Sequence, residues 1–175
     1  MHADLLQQAE SLARLDLRGA PRQANLRRAV SSAYYALFHY LVDEACRAIM
    51  GSQHSQQGYR YALARSFVHT TMKSACGSFG STQLPETVIK SLPKDPSGKY
   101  LVADEIRNIS SLFKEIQLKR HQADYDLSER FQRSEVLALI QEVEQQVQDF
   151  STLPRSDDRQ FFLICLLTWK ELANR

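Results

Sequence analysis

The run Arg120-His121-Gln122-Ala123-Asp124-Tyr125-Asp126 gathers side chains that can bind an anion and move a proton. On a helix, His121, Asp124 and Tyr125 share a face through three- and four-residue spacings, and Arg120 meets Asp124 in the same way. A guanidinium grips phosphate in a fixed fork. Imidazole exchanges its proton near neutrality. The bland alternative is a surface helix salt bridge worth about 0.3–0.5 kcal/mol, beside a tyrosine packed at a helix end, and the residues alone leave both readings open. A second stripe, Arg28, Ser32, Tyr35, His39 and Asp43, recurs at helical spacing upstream. It either lines a cleft or holds half-buried amphipathic side chains with satisfied tips. The two stripes are expected to lie together, because partly buried polar groups need partners.

Six helical segments and no strand are expected to position these residues, which makes the fold class all-α. The first covers about 3–15 and ends at Gly19-Ala20-Pro21. The second, about 23–50, carries Leu26, Val30, Ala33, Leu37, Leu41, Ala45 and Ile49 on one face and stops at Gly51. A third is expected over 57–75, broken by Cys76-Gly77-Ser78-Phe79-Gly80-Ser81, and then a long loop to Gly98 with one helical turn near 86–91. The fourth is expected over 100–123. Ser134 is the expected N-cap of the fifth. The last covers about 157–172, with Asp157 and Asp158 at its positive end. Phe161, Phe162, Ile164, Leu166, Leu167 and Trp169 leave that helix apolar on several sides, so the bundle centre or another subunit must cover it.

One domain is the expectation for 175 residues, and 43% hydrophobic against 24% charged residues excludes a disordered chain. A net charge of +2 is too small to indicate nucleic acid by itself. The cations are nonetheless clustered. Arg14, Arg18, Arg22, Arg27 and Arg28 face only Asp16, and Lys114, Lys119, Arg120 and His121 form a second group. Cys46, Cys76 and Cys165 are odd in number and widely spaced, which points to buried free thiols in a reducing cytoplasm rather than to disulfides or zinc. No basic-then-apolar leader precedes the first helix, and the most apolar stretch, 161–169, is too short to span a bilayer. Phosphate-loop, dinucleotide, zinc-protease and nucleophile-elbow motifs are absent, so no cofactor and no metal are expected.

Two segments carry a family resemblance. Arg28-Ala29-Val30-Ser31-Ser32-Ala33-Tyr34-Tyr35-Ala36-Leu37-Phe38-His39 resembles the Ser-x-Ala-Tyr-Tyr-Ala-x-Phe-His helix of HEPN-domain proteins. Arg120-His121-Gln122-Ala123-Asp124-Tyr125-Asp126 resembles the Arg-x-x-Ala-Asp-Tyr-Asp segment of one branch of that family. The resemblance covers a core of about 22–150, with the helix at 157–173 as an addition to a single domain, 1–175. It implies an antiparallel helical bundle, usually dimeric, with the polar motif at a cleft between subunits. Many members are metal-independent RNases of toxin–antitoxin, CRISPR and antiphage systems; others are non-catalytic partners of minimal nucleotidyltransferases.

Those RNases carry Arg, four to six residues, then His. Here Tyr125 stands at the first such position, so the usual general base or acid is missing there. His121 adjoins Arg120 directly, and Arg65 and His69 are one residue too close and lie elsewhere. The expectation is therefore an RNA- or nucleotide-binding protein of toxin, defence or stress type, with cleavage left open. Arg28, Lys119 and Arg120 would hold phosphate. His39, His121 and Tyr125 are the proton-transfer candidates, and Asp124 would orient Arg120 or a histidine. The alternative is a non-catalytic module that pairs with a nucleotidyltransferase or another protein.

Overall fold

The computed structural model describes residues 1–15, 19–81, 83–94 and 96–173. Asp16 and Arg18 of the first charge cluster lie outside the described residues. The fold is an all-α helical bundle. Its helices are α1 (His2–Arg14), α2 (Gln23–Met50), α3 (Gln57–Ala64), α4 (His69–Ser81), α5 (Glu86–Ile89), α6 (Asp104–Tyr125), α7 (Arg133–Thr152) and α8 (Asp157–Ala173), with a 3-10 turn at His54–Gln56. Among the described residues no helix is long and apolar enough to cross a membrane.

The chain divides into two compact units, one of Met1–Tyr40 with Leu112–Gln148 and the other of Leu41–Ser111 with Asp149–Arg175. The first buries Ala9, Leu26, Val30, Tyr34, Leu37, Phe113, Ile116, Ala123, Ile140 and Val143, with the Tyr34 and Phe113 ring centroids 5.8 Å apart. The second buries Met72, Phe79, Ile106, Ile109, Phe150 and Phe162. Phe79 there meets Phe162 edge-on at 5.1 Å and Trp169 at 6.1 Å.

Helix α2 has the expected bounds. Gly51, at φ +82°, ends it by turning its N–H to the Arg47 carbonyl at 2.9 Å. Of the apolar face, Leu26 to Ala45 is buried, but Ile49 is 36% exposed. Several expectations are corrected. α1 ends at Arg14, ahead of Gly19. The segment expected as one helix over 57–75 is two, α3 and α4, separated at residues 65–68, so Arg65 and His69 stand on different elements. The glycine-containing run 76–81 is helical rather than a breaker, because burial of Cys76 and Phe79 outweighs the propensity cost of its two glycines. α6 begins at Asp104, not near 100. Ahead of it Lys94 and Tyr100 instead form an isolated bridge, and the Leu101 N–H donates to the Pro93 carbonyl. The Ala103 N–H, just ahead of the helix, donates to buried Asp158 at 2.9 Å. Ser134 is not the N-cap of α7. That helix starts at Arg133, and Glu135 reaches back to the Gln132 N–H at 3.3 Å as half of a capping box.

Helix α8 is covered in part by its own chain: Phe162, Leu163, Cys165, Leu166 and Trp169 are buried, against α4 among others. The bundle interior therefore takes one side of its apolar surface, and Phe161, Ile164 and Leu167 stay half-buried on the other. Gly80 makes the close approach in this unit. A Cβ there would meet Ser111 Oγ at 2.6 Å and the Ser111 backbone nitrogen at 3.0 Å. Gly80→Ala should therefore destabilise by about 1–3 kcal/mol from overpacking, although alanine is ordinarily the better helix former by about 1 kcal/mol. Urea unfolding measures this, and a stabilised variant would contradict the close packing.

Candidate functional site

The site is built on the meeting of α2 with the end of α6 in the first unit. The last carbonyls of a helix lack intrahelical donors. Here one side chain donates to two of them, Gln122 and Ala123, and to two carbonyls of the turn that follows. The Arg27 guanidinium donates from Nη1 to the carbonyls of Ala123 at 2.8 Å and Gln122 at 3.3 Å, and from Nη2 to those of Asp126 at 2.8 Å and Glu129 at 2.7 Å. A cation at the negative end of the helix dipole is electrostatically apt as well. Asp126 folds the following turn by accepting from the Ser128 hydroxyl at 2.6 Å and the Ser128 N–H at 2.9 Å, hydrogen bonds that lower its pKa. Gln23 clasps Phe131 with two side-chain bonds to its backbone, at 2.9 and 3.0 Å.

This frame fixes the polar stripe of α6. Buried Ser31 donates its hydroxyl to Asp124 Oδ1 at 2.6 Å, the short length of a charge-assisted bond. Asp124 Oδ2 lies 2.6 Å from Arg120 Nε, an ion pair in which the Nε–H is not aligned for hydrogen bonding. The two side chains are 25% and 24% exposed, so the pair is neither fully buried nor a surface bridge. Arg120 Nη2 donates to the Tyr35 hydroxyl at 3.3 Å. The Arg120 guanidinium carbon stands 5.7–5.9 Å from the ring centroids of Tyr34, Tyr35 and Tyr125. Burial alone would lower its pKa, but Asp124 and then the three tyrosines outweigh that and raise it.

A surface recess of about 490 Å³ is lined by Arg27, Arg28, Tyr35, Arg120, Asp124 and Tyr125, with Ser31 and Leu127. Arg28 is exposed and has no hydrogen-bond or ion-pair partner among the described residues. Three guanidiniums thus face one carboxylate that Ser31 and Arg120 already engage. Such a site suits an oxyanion, with the 65%-exposed Tyr125 ring at its edge.

Of the residues expected from sequence, Arg28, Arg120, Asp124 and Tyr125 come together here with Tyr35. His121 is exposed and packs its ring on Tyr125 at 4.9 Å, and His39 stacks on Tyr35 at 6.2 Å, but neither lines the recess. Lys119 pairs with Glu115 at 3.6 Å. Ser32 turns to Gln8 at 3.4 Å, and Asp43 holds Arg47. Sequence reasoning missed the parts played by Arg27 and Ser31. The i, i+4 series Arg27, Ser31, Tyr35 places Ser31 on the face of Tyr35, but nothing in that series marks the carbonyls that Arg27 serves.

The His39 pKa is lowered from the ordinary value of 6.5, by burial first and then by the positive N-terminus. A histidine with a depressed folded pKa binds fewer protons folded than unfolded. Its contribution to stability is therefore present above 6.5 and is lost as pH falls through the depressed folded value. An NMR titration should place the His39 midpoint below 6.5, and His39→Gln should flatten stability against pH on the acid side. A midpoint above that value would contradict the burial.

All three cysteines are free and buried. Burial raises the Cys46 thiol to about 11 and the Cys165 thiol to about 12, and pushes Cys76 up as well, so none is a ready thiolate. No three His, Cys, Asp or Glu side chains among the described residues converge as a metal site requires. In comparisons with known proteins, no family model, no curated protein and no solved structure matches the chain significantly.

Proposed function

We propose that the chain is a HEPN-like domain that binds RNA or a nucleotide through phosphate, in a toxin, defence or stress setting in the cytoplasm. The observation that carries this reading is the recess in which Arg27, Arg28 and Arg120 face the single carboxylate Asp124 beside Tyr35 and Tyr125. The two motif segments from which the resemblance was drawn supply all of those residues except Arg27, which stands one position ahead of the first segment. A phosphate oxyanion would take Arg28 and the outer edge of Arg120, while Arg27 keeps the frame. If RNA is cleaved, the 2′-hydroxyl attacks the adjacent phosphorus, the 5′-oxygen leaves with a proton, and a 2′,3′-cyclic phosphate results. Arg120 stabilises the charge that develops on phosphorus-bound oxygen. Tyr125, His121 and His39 are the candidates for moving the protons.

The test is RNA binding at graded salt. Phosphate contacts release counterions, so affinity should fall steeply and linearly on log–log axes, and Arg28→Ala should make the slope shallower. Absence of RNA and nucleotide binding at low salt would remove this reading.

A second reading is favoured by one observation: Tyr125 occupies the motif position of the usual histidine, and neither His39 nor His121 lines the recess. In that reading the chain is a non-catalytic module partnering a nucleotidyltransferase or another protein. Both readings include a homodimer, which rests on the HEPN resemblance. Sedimentation at micromolar concentration should show it, and a purely monomeric protein would remove the inter-subunit cleft.

A further inference from the structure

We propose that a second recess, in the unit of 41–111 and 149–175, binds a phosphate group independently of the site above. It encloses about 430 Å³ between the end of α2 and the start of α8, and its lining includes Glu44, Arg47, Arg155, Ser156, Arg159 and Gln160. The inventory of hydrogen-bonding groups is one-sided. Three of its acceptors are already engaged. Glu44 Oε2 accepts from Arg159 Nη2 at 2.7 Å, the Ala48 carbonyl from Gln160 Nε2 at 2.9 Å, and the Gly51 carbonyl from Arg60 at 2.8 Å. Arg159 also donates to the Leu153 carbonyl. Its side chain is only 10% exposed and stacks on Phe150 with the guanidinium carbon 4.8 Å from the ring centroid, so it is a fixed wall of positive charge.

The donors are not used up. Arg155 is exposed and has no hydrogen-bond or ion-pair partner among the described residues. Arg47 is held to Asp43 through Nε at 2.8 Å, which leaves its terminal nitrogens for another acceptor. The Ser156 hydroxyl turns to the Pro154 carbonyl at 3.4 Å. Three guanidiniums line the recess against the one carboxylate of Glu44, which Arg159 already engages; Asp43 is held by Arg47, and Asp157 does not line it. What this arrangement lacks is an acceptor-only group of concentrated negative charge that takes two-pronged donors. A phosphate has that chemistry, either as the free ion or as the phosphate of a nucleotide or RNA.

The test uses the full chain carrying Arg120→Ala, so that failure of the first recess cannot be mistaken for failure of this one. Inorganic phosphate, pyrophosphate and a short 5′-phosphorylated RNA are titrated while the arginine Nε–H resonances are followed. Arg155 and Arg47 signals should shift, and Arg155→Ala combined with Arg47→Ala should weaken binding by about tenfold or more, as expected for loss of charge-assisted bonds. Both side chains are exposed, so the double variant should fold, and its circular dichroism checks this. RNA that displaces phosphate identifies nucleic acid as the source; phosphate that binds without competition from RNA identifies the free ion. Resonances unmoved by all three probes, or affinity unchanged in the double variant, would overturn the proposal.

Discussion

Arg120→Ala is expected to lower any RNA cleavage by the proposed route by about two orders of magnitude, comparable to losing one charge-stabilising donor from an active site. The expectation follows from how Arg120 is held. Ser31 fixes Asp124, Asp124 fixes the Nε edge of Arg120, and Tyr35 takes one terminal nitrogen. Three tyrosine rings flank the guanidinium plane. The cation is therefore already oriented when substrate arrives, and little ordering remains to be done at the transition state. Arg120→Lys should rescue poorly, because an ammonium offers neither the planar fork nor the stacking. EDTA should leave the rate unchanged, since the proposed step uses side-chain proton transfer and charge stabilisation alone. The assay is cleavage of labelled RNA with EDTA, wild type against both variants. Equal rates in wild type and Arg120→Ala would sink the catalytic reading. If no cleavage occurs but Arg120→Ala still weakens binding, the recess is a binding site and the non-catalytic reading stands.

The parts of this architecture written in local periodicity were legible in the sequence, and the parts set by tertiary contact were not. Helix α2 was legible, and its end with it, because an unbroken apolar stripe runs into a glycine with left-handed backbone. The same reasoning failed at 76–81, where glycines that suggest a breaker permit a close approach to Ser111. It failed again at Ala103, where the start of α6 is marked by Asp158, a residue distant in sequence. At the site, Arg120, Asp124 and Tyr125 were visible because three- and four-residue spacing declares a shared face. Arg27 was visible only as one cation in a run. Its function depends on four carbonyls 95 to 102 residues away, which no local pattern encodes. Ser31 did carry a clue, since a serine in the middle of an apolar helix face needs a buried partner. The apolar surplus of α8 is legible as surface requiring cover, but sequence could not say which side of it the chain's own packing takes.

Arg27→Ala should be among the most destabilising changes of a polar residue in this protein, at about 2–4 kcal/mol. Hydrogen bonds to a charged group contribute about 1.5–3 kcal/mol each when buried, and less where water can replace them. Three of the four Arg27 contacts are part-buried and the one to Asp126 is exposed, so the sum is discounted accordingly. For a chain of this length that loss lowers Tm by about 10 °C. Arg27→Lys should recover less than half, because one ammonium cannot serve carbonyls on both sides of the turn at Asp126. The local consequence is more diagnostic than the global one. Without Arg27 the last turn of α6 frays, and amide exchange over residues 122–129 should accelerate beyond what the global change explains. Phosphate binding would weaken too, because Asp124 and Tyr125 sit on that turn. Arg120→Ala should show the reverse pattern, with function lost and exchange at 122–129 nearly unchanged. A thermal midpoint for Arg27→Ala within 2 °C of wild type (equivalent to about 1 kcal/mol or less), with unaltered exchange at those amides, would show that the carbonyls are satisfied by water and that the site is held by Ser31 and Tyr35 alone.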